Sequence, residues 1–196
     1  MGFIRRLYDW SMAKAASPSA PWWLGIIAFI ESSVFPIPPD ALLLPMCLAR
    51  RAKAFAYAGI CTIGSVAGGL FGYALGALFF TAIGAPLIAL YGGEVAMEEL
   101  RLLYAEQGAL IVAFAAFTPF PFKVVTIASG AIGMDIGVFL IASLLARGGR
   151  FMLEAALIWR FGAPIQAFIE KHMGWVTLAG FIVVAAFFLF VKKIAG

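Results

Sequence analysis

Residues 31–46 read "ESSVFPIPPDALLLPM", and this stretch decides the fold. It is too apolar for a surface loop, yet it carries Glu31, Asp40 and four prolines, Pro36, Pro38, Pro39 and Pro45. Proline removes a backbone donor and disfavours helix in the residue before it, so an ordinary spanning helix does not tolerate such a run. The knot ends one helical arm and begins another. The first arm, residues 22–35, rises about 20 Å at 1.5 Å per residue, past the middle of a bilayer without crossing it.

Composition places that bilayer around the chain. Of 196 residues, 64% are hydrophobic and 12% charged, with a mean hydropathy of +1.02. Soluble domains are about 45–50% apolar and about 25% charged, so this chain reads as an integral membrane protein with a single membrane domain, 21–196. Residues 1–20 carry Phe3, Leu7 and Trp10 on one stripe beside Arg5 and Arg6. That pattern predicts an amphipathic segment on the membrane surface, with a disordered tail as the alternative and no cleavable signal peptide.

A second broken stretch answers the first. Residues 109–134, "ALIVAFAAFTPFPFKVVTIASGAIGM", are interrupted at Pro119 and Pro121 as residues 22–49 are at Pro36, Pro38 and Pro39. The two knots match position for position, with Lys123 where the first has Asp40. Non-helical backbone at membrane depth must face protein or a water-filled cavity, so both stretches predict re-entrant hairpins meeting inside the protein. Between and after them lie clean spans at 54–80, 136–160 and 174–191. The expected architecture is therefore all-α and polytopic. A re-entrant hairpin plus a transmembrane helix occurs twice in inverted orientation, followed by an additional C-terminal transmembrane helix. Segment 81–107, holding Glu94, Glu98, Glu99 and Glu106, is expected outside the membrane as a short surface helix.

Charge asymmetry orients this arrangement. Arg5, Arg6, Lys14, Arg50, Arg51 and Lys53 crowd the first quarter, which puts the N-terminus in the cytoplasm. Lys192 and Lys193 then fall on the outer side, against that rule. The net charge of +4 reports topology rather than nucleic-acid binding. In the span 54–80, Gly64, Gly68, Gly72 and Gly76 recur every fourth residue on one face, where a neighbouring helix can approach closely.

Six charges lie within apolar stretches: Glu31, Asp40 and Glu154 against Lys123, Arg147 and Arg150. Each costs about 2.5–3.5 kcal/mol at membrane depth unless paired or hydrated, so they are expected to gather around a cavity. Local readings exist for some of them. Arg150 and Glu154 can pair at i, i+4, Arg147 can snorkel, and Asp40 can serve a helix dipole. Glu31 and Lys123 have no such local role. Basic groups and half-helix N-termini attract anions, and carboxylates exchange protons, so the set suits transport of an anionic substrate. Phe35, Phe117, Phe120 and Phe122 near the tips suit one with an apolar tail.

Enzyme signatures are missing, and the chain is read as a non-enzyme. The single histidine, His172, allows no histidine triad or metal cluster. Cys47 and Cys61 read as buried small side chains. No metal or cofactor is implied.

The stretch holding Glu31, Pro36, Pro38 and Asp40 resembles the first hairpin of the DedA family, also called SNARE-associated or VTT-domain proteins. "FTPFPFKVVTIASG", residues 117–130, resembles that family's second hairpin, and the overall run is most similar to the YqaA-type bacterial branch. The resemblance covers about residues 20–165. It implies movement of lipids between leaflets, including the undecaprenyl-phosphate carrier, in the bacterial inner membrane. It also implies roles for Glu31 and Asp40 as the family's acidic pair, the latter at altered spacing, and for Lys123 in place of its second arginine. The first arginine falls at Thr118 and is missing, a charge that Arg147 and Arg150 are expected to supply. The expected function is a flippase or scramblase for an anionic lipid such as a phospholipid or undecaprenyl phosphate, with protons as a candidate coupling ion. A proton-coupled small-ion antiporter is the alternative. A structural membrane module that uses the Gly64–Gly76 face for partner assembly is the second. Homo-oligomerisation is left open.

Overall fold

A computed structural model describes residue 17 and residues 19–33, 38–84, 94–118, 120–162 and 164. The segment 1–16, the span 174–191, His172, Pro36 and Pro119 lie outside them. Every regular element described is helical. The elements are α1 (Ala20–Ser33), α2 (Asp40–Ala49), a 3-10 turn (Arg51–Lys53), α3 (Ala54–Phe79), a π-helical turn (Phe80–Gly84), α4 (Glu94–Phe117), α5 (Phe122–Ile132) and α6 (Ile136–Phe161). Among the described residues, three stretches are long and apolar enough to cross a membrane: Arg51–Ala82, Met97–Phe117 and Ile136–Phe161.

Prolines and caps set the helix starts. Pro39 precedes α2 and Pro121 precedes α5, where a missing N–H removes a donor the helix could not have paired. Asp135 caps α6, its Oδ1 accepting from the Val138 N–H at 2.8 Å. Gly133 takes φ 77° after α5, a left-handed C-cap that reverses the chain into α6.

α3 is the axis, and its glycine stripe is why. A Cβ at Gly64 or Gly68 would collide with the backbone of Gly25 or Phe29 in α1. One at Gly76 would collide with the Ile127 backbone in α5, and one at Gly72 with the Thr126 side chain. The stripe is thus covered by the chain's own α1 and α5, at a distance only glycine permits. Rising contacts with rising number (Gly25 to Gly64, Phe29 to Gly68; Thr126 to Gly72, Ile127 to Gly76) show that α1 and α5 both run parallel to α3. By the same test α4 runs parallel to α6, with Gly108 against Met134 and Phe117 against Gly149.

One boundary differs from the sequence reading. The acidic segment and the first arm of the second broken stretch form one unbroken helix, Glu94–Phe117. A change from polar to apolar composition does not interrupt a helix, and Gly108 stays inside it by packing on Met134 and Tyr104. Glu98, Glu99 and Glu106 are exposed along its first half.

Two apolar cores result. One joins α1, α2, the start of α3 and the end of α6 around Leu24, Leu43, Cys61 and Phe151. The other joins α4, α5 and the start of α6 around Val112, Phe122 and Phe139. Large apolar side chains also face outward, with Trp22 79%, Ile63 71% and Leu145 70% exposed, as a lipid-facing surface requires.

Candidate functional site

The two cores meet at Arg147, in the middle of α6, whose side chain is only 2% exposed. Its guanidinium reaches α1 and α3 together. Nη2 pairs with Glu31 Oε2 and donates to Ser32 Oγ at 3.0 Å, while Nε donates to Ser65 Oγ at 2.5 Å. Ser32 and Ser65 share a 2.7 Å hydrogen bond, and Ser32 Oγ donates to Glu31 Oε2 at 3.1 Å. The rings of Phe122 and Phe151 sandwich the cation at 4.9 and 5.1 Å. A charge this deep is sustained only by such saturation, because an unpaired one would cost several kcal/mol, on the order of a domain's whole stability.

One turn along α6, Arg150 joins a second pair of acids. Nη2 pairs with Asp40 Oδ2 at 2.5 Å and Nε with Glu154 Oε1 at 3.1 Å. Asp40 stands at the first position of α2, where the proline knot ends, so the local reading of its position and the cluster reading coincide. The Arg150–Glu154 pair at i, i+4 is present, but it is not merely local, since Asp40 from another element shares the same guanidinium. Arg147 does not snorkel; it points inward.

Of the residues singled out from sequence, Glu31, Asp40, Arg147 and Arg150 therefore converge at one level of the bundle. Lys123 stands apart. It is the second residue of α5, half-buried, and its ammonium makes no ion pair among the described residues. Thr118, at the end of α4, holds its Oγ1 buried without a partner among the described residues. Pro38 is exposed and Pro39 buried at the start of α2, and Pro121 is exposed before α5.

Sequence reasoning missed Ser32 and Ser65 as ligands of the guanidinium, and Phe122 and Phe151 as its walls. Ser65 follows Gly64 on the small-residue stripe, and small polar side chains on such a stripe are the usual source of interhelical hydrogen bonds. That signal was legible. Cys47 and Cys61 are free and buried beside the cluster. No group of three or more metal-ligating side chains occurs among the described residues.

The cluster holds three carboxylates (Glu31, Asp40, Glu154) against two guanidiniums (Arg147, Arg150), so its formal charge with all five ionised is −1. The ends of the bundle are also polarised. Arg50, Arg51 and Lys53 gather at one end with the close of α6, where Arg51 lies against Gly162, and Glu98, Glu99 and Asp135 lie at the other.

No family model matches the chain, and no solved structure matches it. An uncharacterized protein of Haemophilus influenzae is 35% identical over 194 residues, which cover 96% of this chain and 98% of that one. An uncharacterized homologue in Histophilus somni is 35% identical over 188 residues, covering 94% of this chain and 97% of its own. Identity of that order along both full lengths places the chain in one family with these two proteins.

Proposed function

We propose that this protein moves an anionic lipid between the leaflets of the bacterial inner membrane, as a DedA-type flippase or scramblase. The observation that carries the reading is the five-residue ion cluster, built around the buried Arg147, at the point where two pairs of broken helices meet. Structural maintenance alone is a poor reason for such a cluster, because well-packed apolar side chains of similar volume do as well or better. Ionisable residues within spanning segments mark substrate and ion pathways.

The helix directions support the inverted repeat. α1 and α2 precede α3 as α4 and α5 precede α6, and in each half the first arm runs parallel to its spanning helix. At 1.5 Å per residue, α1 with 14 residues, α2 with 10 and α5 with 11 are about 21, 15 and 16 Å long, short of a hydrocarbon core of about 30 Å. Each can re-enter and none can span. With the basic end inside by the positive-inside rule, the acidic first half of α4 projects outward, and the start of α5 lies near the middle of α3, at Gly69.

Both arginines are engaged by carboxylates in this state, so Lys123 with the α5 N-terminus is the first contact for a phosphate group. Protonation of Glu31 and Asp40 then loosens the arginines, which can close on the head group in turn. The rival reading, proton-coupled antiport of a small ion, uses the same cluster with its negative excess as the ion site. The structural-module reading is weakened, because the Gly64–Gly76 face is occupied by α1 and α5.

The test is leaflet exchange of a fluorescent phospholipid and of a polyprenyl phosphate in proteoliposomes. Wild-type protein, Glu31→Gln and Lys123→Ala are compared with and without a pH gradient. Exchange in the wild type that both substitutions abolish supports the reading. Wild-type exchange at the rate of empty liposomes refutes it.

A further inference from the structure

We infer that Asp40 and Glu154 form a binding site for a single proton, held between their two carboxyl groups and clamped by Arg150. The inference rests on the transport reading only for what the proton drives; the site itself follows from geometry. Arg150 draws one oxygen of each acid, Asp40 Oδ2 and Glu154 Oε1. The other two oxygens, Asp40 Oδ1 and Glu154 Oε2, are buried with no hydrogen-bond partner among the described residues. The guanidinium that they share holds the two carboxyl groups next to each other.

Two ionised carboxylates are acceptors only and repel across such a gap. One proton converts the pair into donor and acceptor, removes the repulsion and satisfies both groups. The wider charge count points the same way. The charged groups of the elements packed here are Glu31 on α1, Asp40 on α2, Lys123 on α5, and Arg147, Arg150, Glu154 and, near its end, Arg160 on α6, with Cys47, Tyr57, Cys61 and Tyr73 their other titratable groups. Glu31 is matched by Arg147, and Lys123 makes no ion pair among the described residues, which leaves two acids on one arginine. One bound proton brings the ion-paired cluster from −1 to neutral, the cheapest charge state for a site between two apolar cores.

The proton comes from water and returns to water. Both side chains keep about a fifth of their surface open, 20% for Asp40 and 19% for Glu154, although the two oxygens without partners are themselves buried. Asp40 belongs to the first broken pair of helices and Glu154 to the following span in the other half, so the proton joins the two halves. Binding the proton weakens the pair's hold on Arg150, and its loss restores that hold. That makes the pair a coupling element for the lipid movement proposed above.

The experiment is infrared spectroscopy of the full chain reconstituted in lipid, titrated above pH ~5, where exposed carboxyls are ionised. A carbonyl band of a protonated carboxylic acid is expected in the wild type, shifting on exchange into heavy water and vanishing at alkaline pH. Asp40→Asn and Glu154→Gln each remove it, while Glu31→Gln and the surface change Glu106→Gln keep it. The wild-type titration needs no variant to fold. Absence of the band overturns the proton site, as does its loss in Glu31→Gln with retention in Glu154→Gln. Its suppression by sodium at constant pH overturns the proton in favour of a metal cation. Leaflet exchange on the same samples separates the two claims. A band without lipid exchange defeats the transport reading and leaves the proton site standing; exchange without a band does the reverse. With both present, Glu154→Gln is expected to abolish the acceleration by a pH gradient, and an undiminished acceleration refutes the coupling.

Discussion

Replacing Arg147 with methionine, similar in bulk and uncharged, isolates the electrostatic role of the most buried charge among the described residues. The wild-type side chain is 2% exposed, and the Glu31 carboxylate it faces is 17% exposed, so water screens little of the pair. Methionine leaves Glu31 with the Ser32 hydroxyl at 3.1 Å as its remaining donor among the described residues, and it leaves Ser65 without its charged partner. Breaking a buried pair from one side costs about 3–5 kcal/mol, a fall of roughly a hundred- to four-thousandfold in the folded-to-unfolded ratio. Neutralising both partners removes the stranded charge, so Glu31→Gln with Arg147→Met should recover at least about 2 kcal/mol of that loss. Reversible unfolding in mixed micelles, followed by helicity, measures all four corners of the cycle. A cost below about 1 kcal/mol for Arg147→Met, or strictly additive single changes, would refute the account of the cluster as a desolvated ion pair.

Other outcomes follow from the packing. Gly68→Ala forces a Cβ into the Phe29 backbone and should destabilise by about 1–3 kcal/mol, whereas Gly149→Ala meets only Phe117 at 4.0 Å and should gain about 0.5–1 kcal/mol from helix propensity. Equal effects in thermal melts would count against the close approach of α1 to α3. Asp135→Ala removes the α6 cap and should cost about 1 kcal/mol, with Asp135→Ser retaining most of it; an unchanged melting temperature for the alanine form would contradict that role. In a background with Cys47 and Cys61 replaced by serine, cysteines placed at Arg51 and at Glu99 should react with an impermeant maleimide from opposite sides of the membrane. Labelling from one side would overturn the orientation proposed for the two ends.

Much of the fold was legible because its signals are local. Proline at the knots dictates where helices begin, whatever surrounds them, and the starts at Asp40 and Phe122 lie just after Pro39 and Pro121. The limits 54–80 and 136–160 fall within a residue or so of helices Ala54–Phe79 and Ile136–Phe161. The boundary placed between 107 and 109 was not legible, because hydropathy reports the solvent around a helix rather than its continuity. The candidate site was legible as a list of charges too costly to leave alone in lipid. It was not legible as a set of partners.

By itself, the sequence determined that the chain is helical and apolar enough to cross a membrane, that two of its apolar stretches are broken, and that an α3 glycine face must lie against something. Those are consequences of backbone donors, hydration cost and side-chain size at single positions. Only the tertiary structure decided that α1 and α5 cover that face, that Arg147 reaches Glu31, Ser32 and Ser65, and that Asp40 and Glu154 share Arg150. Glu31 and Arg147 are 116 residues apart, and opposite charges that distant in sequence meet only where helix packing brings them. Lys123 shows the converse, since its charge looked as compelling as theirs and the packing gave it no acidic partner among the described residues.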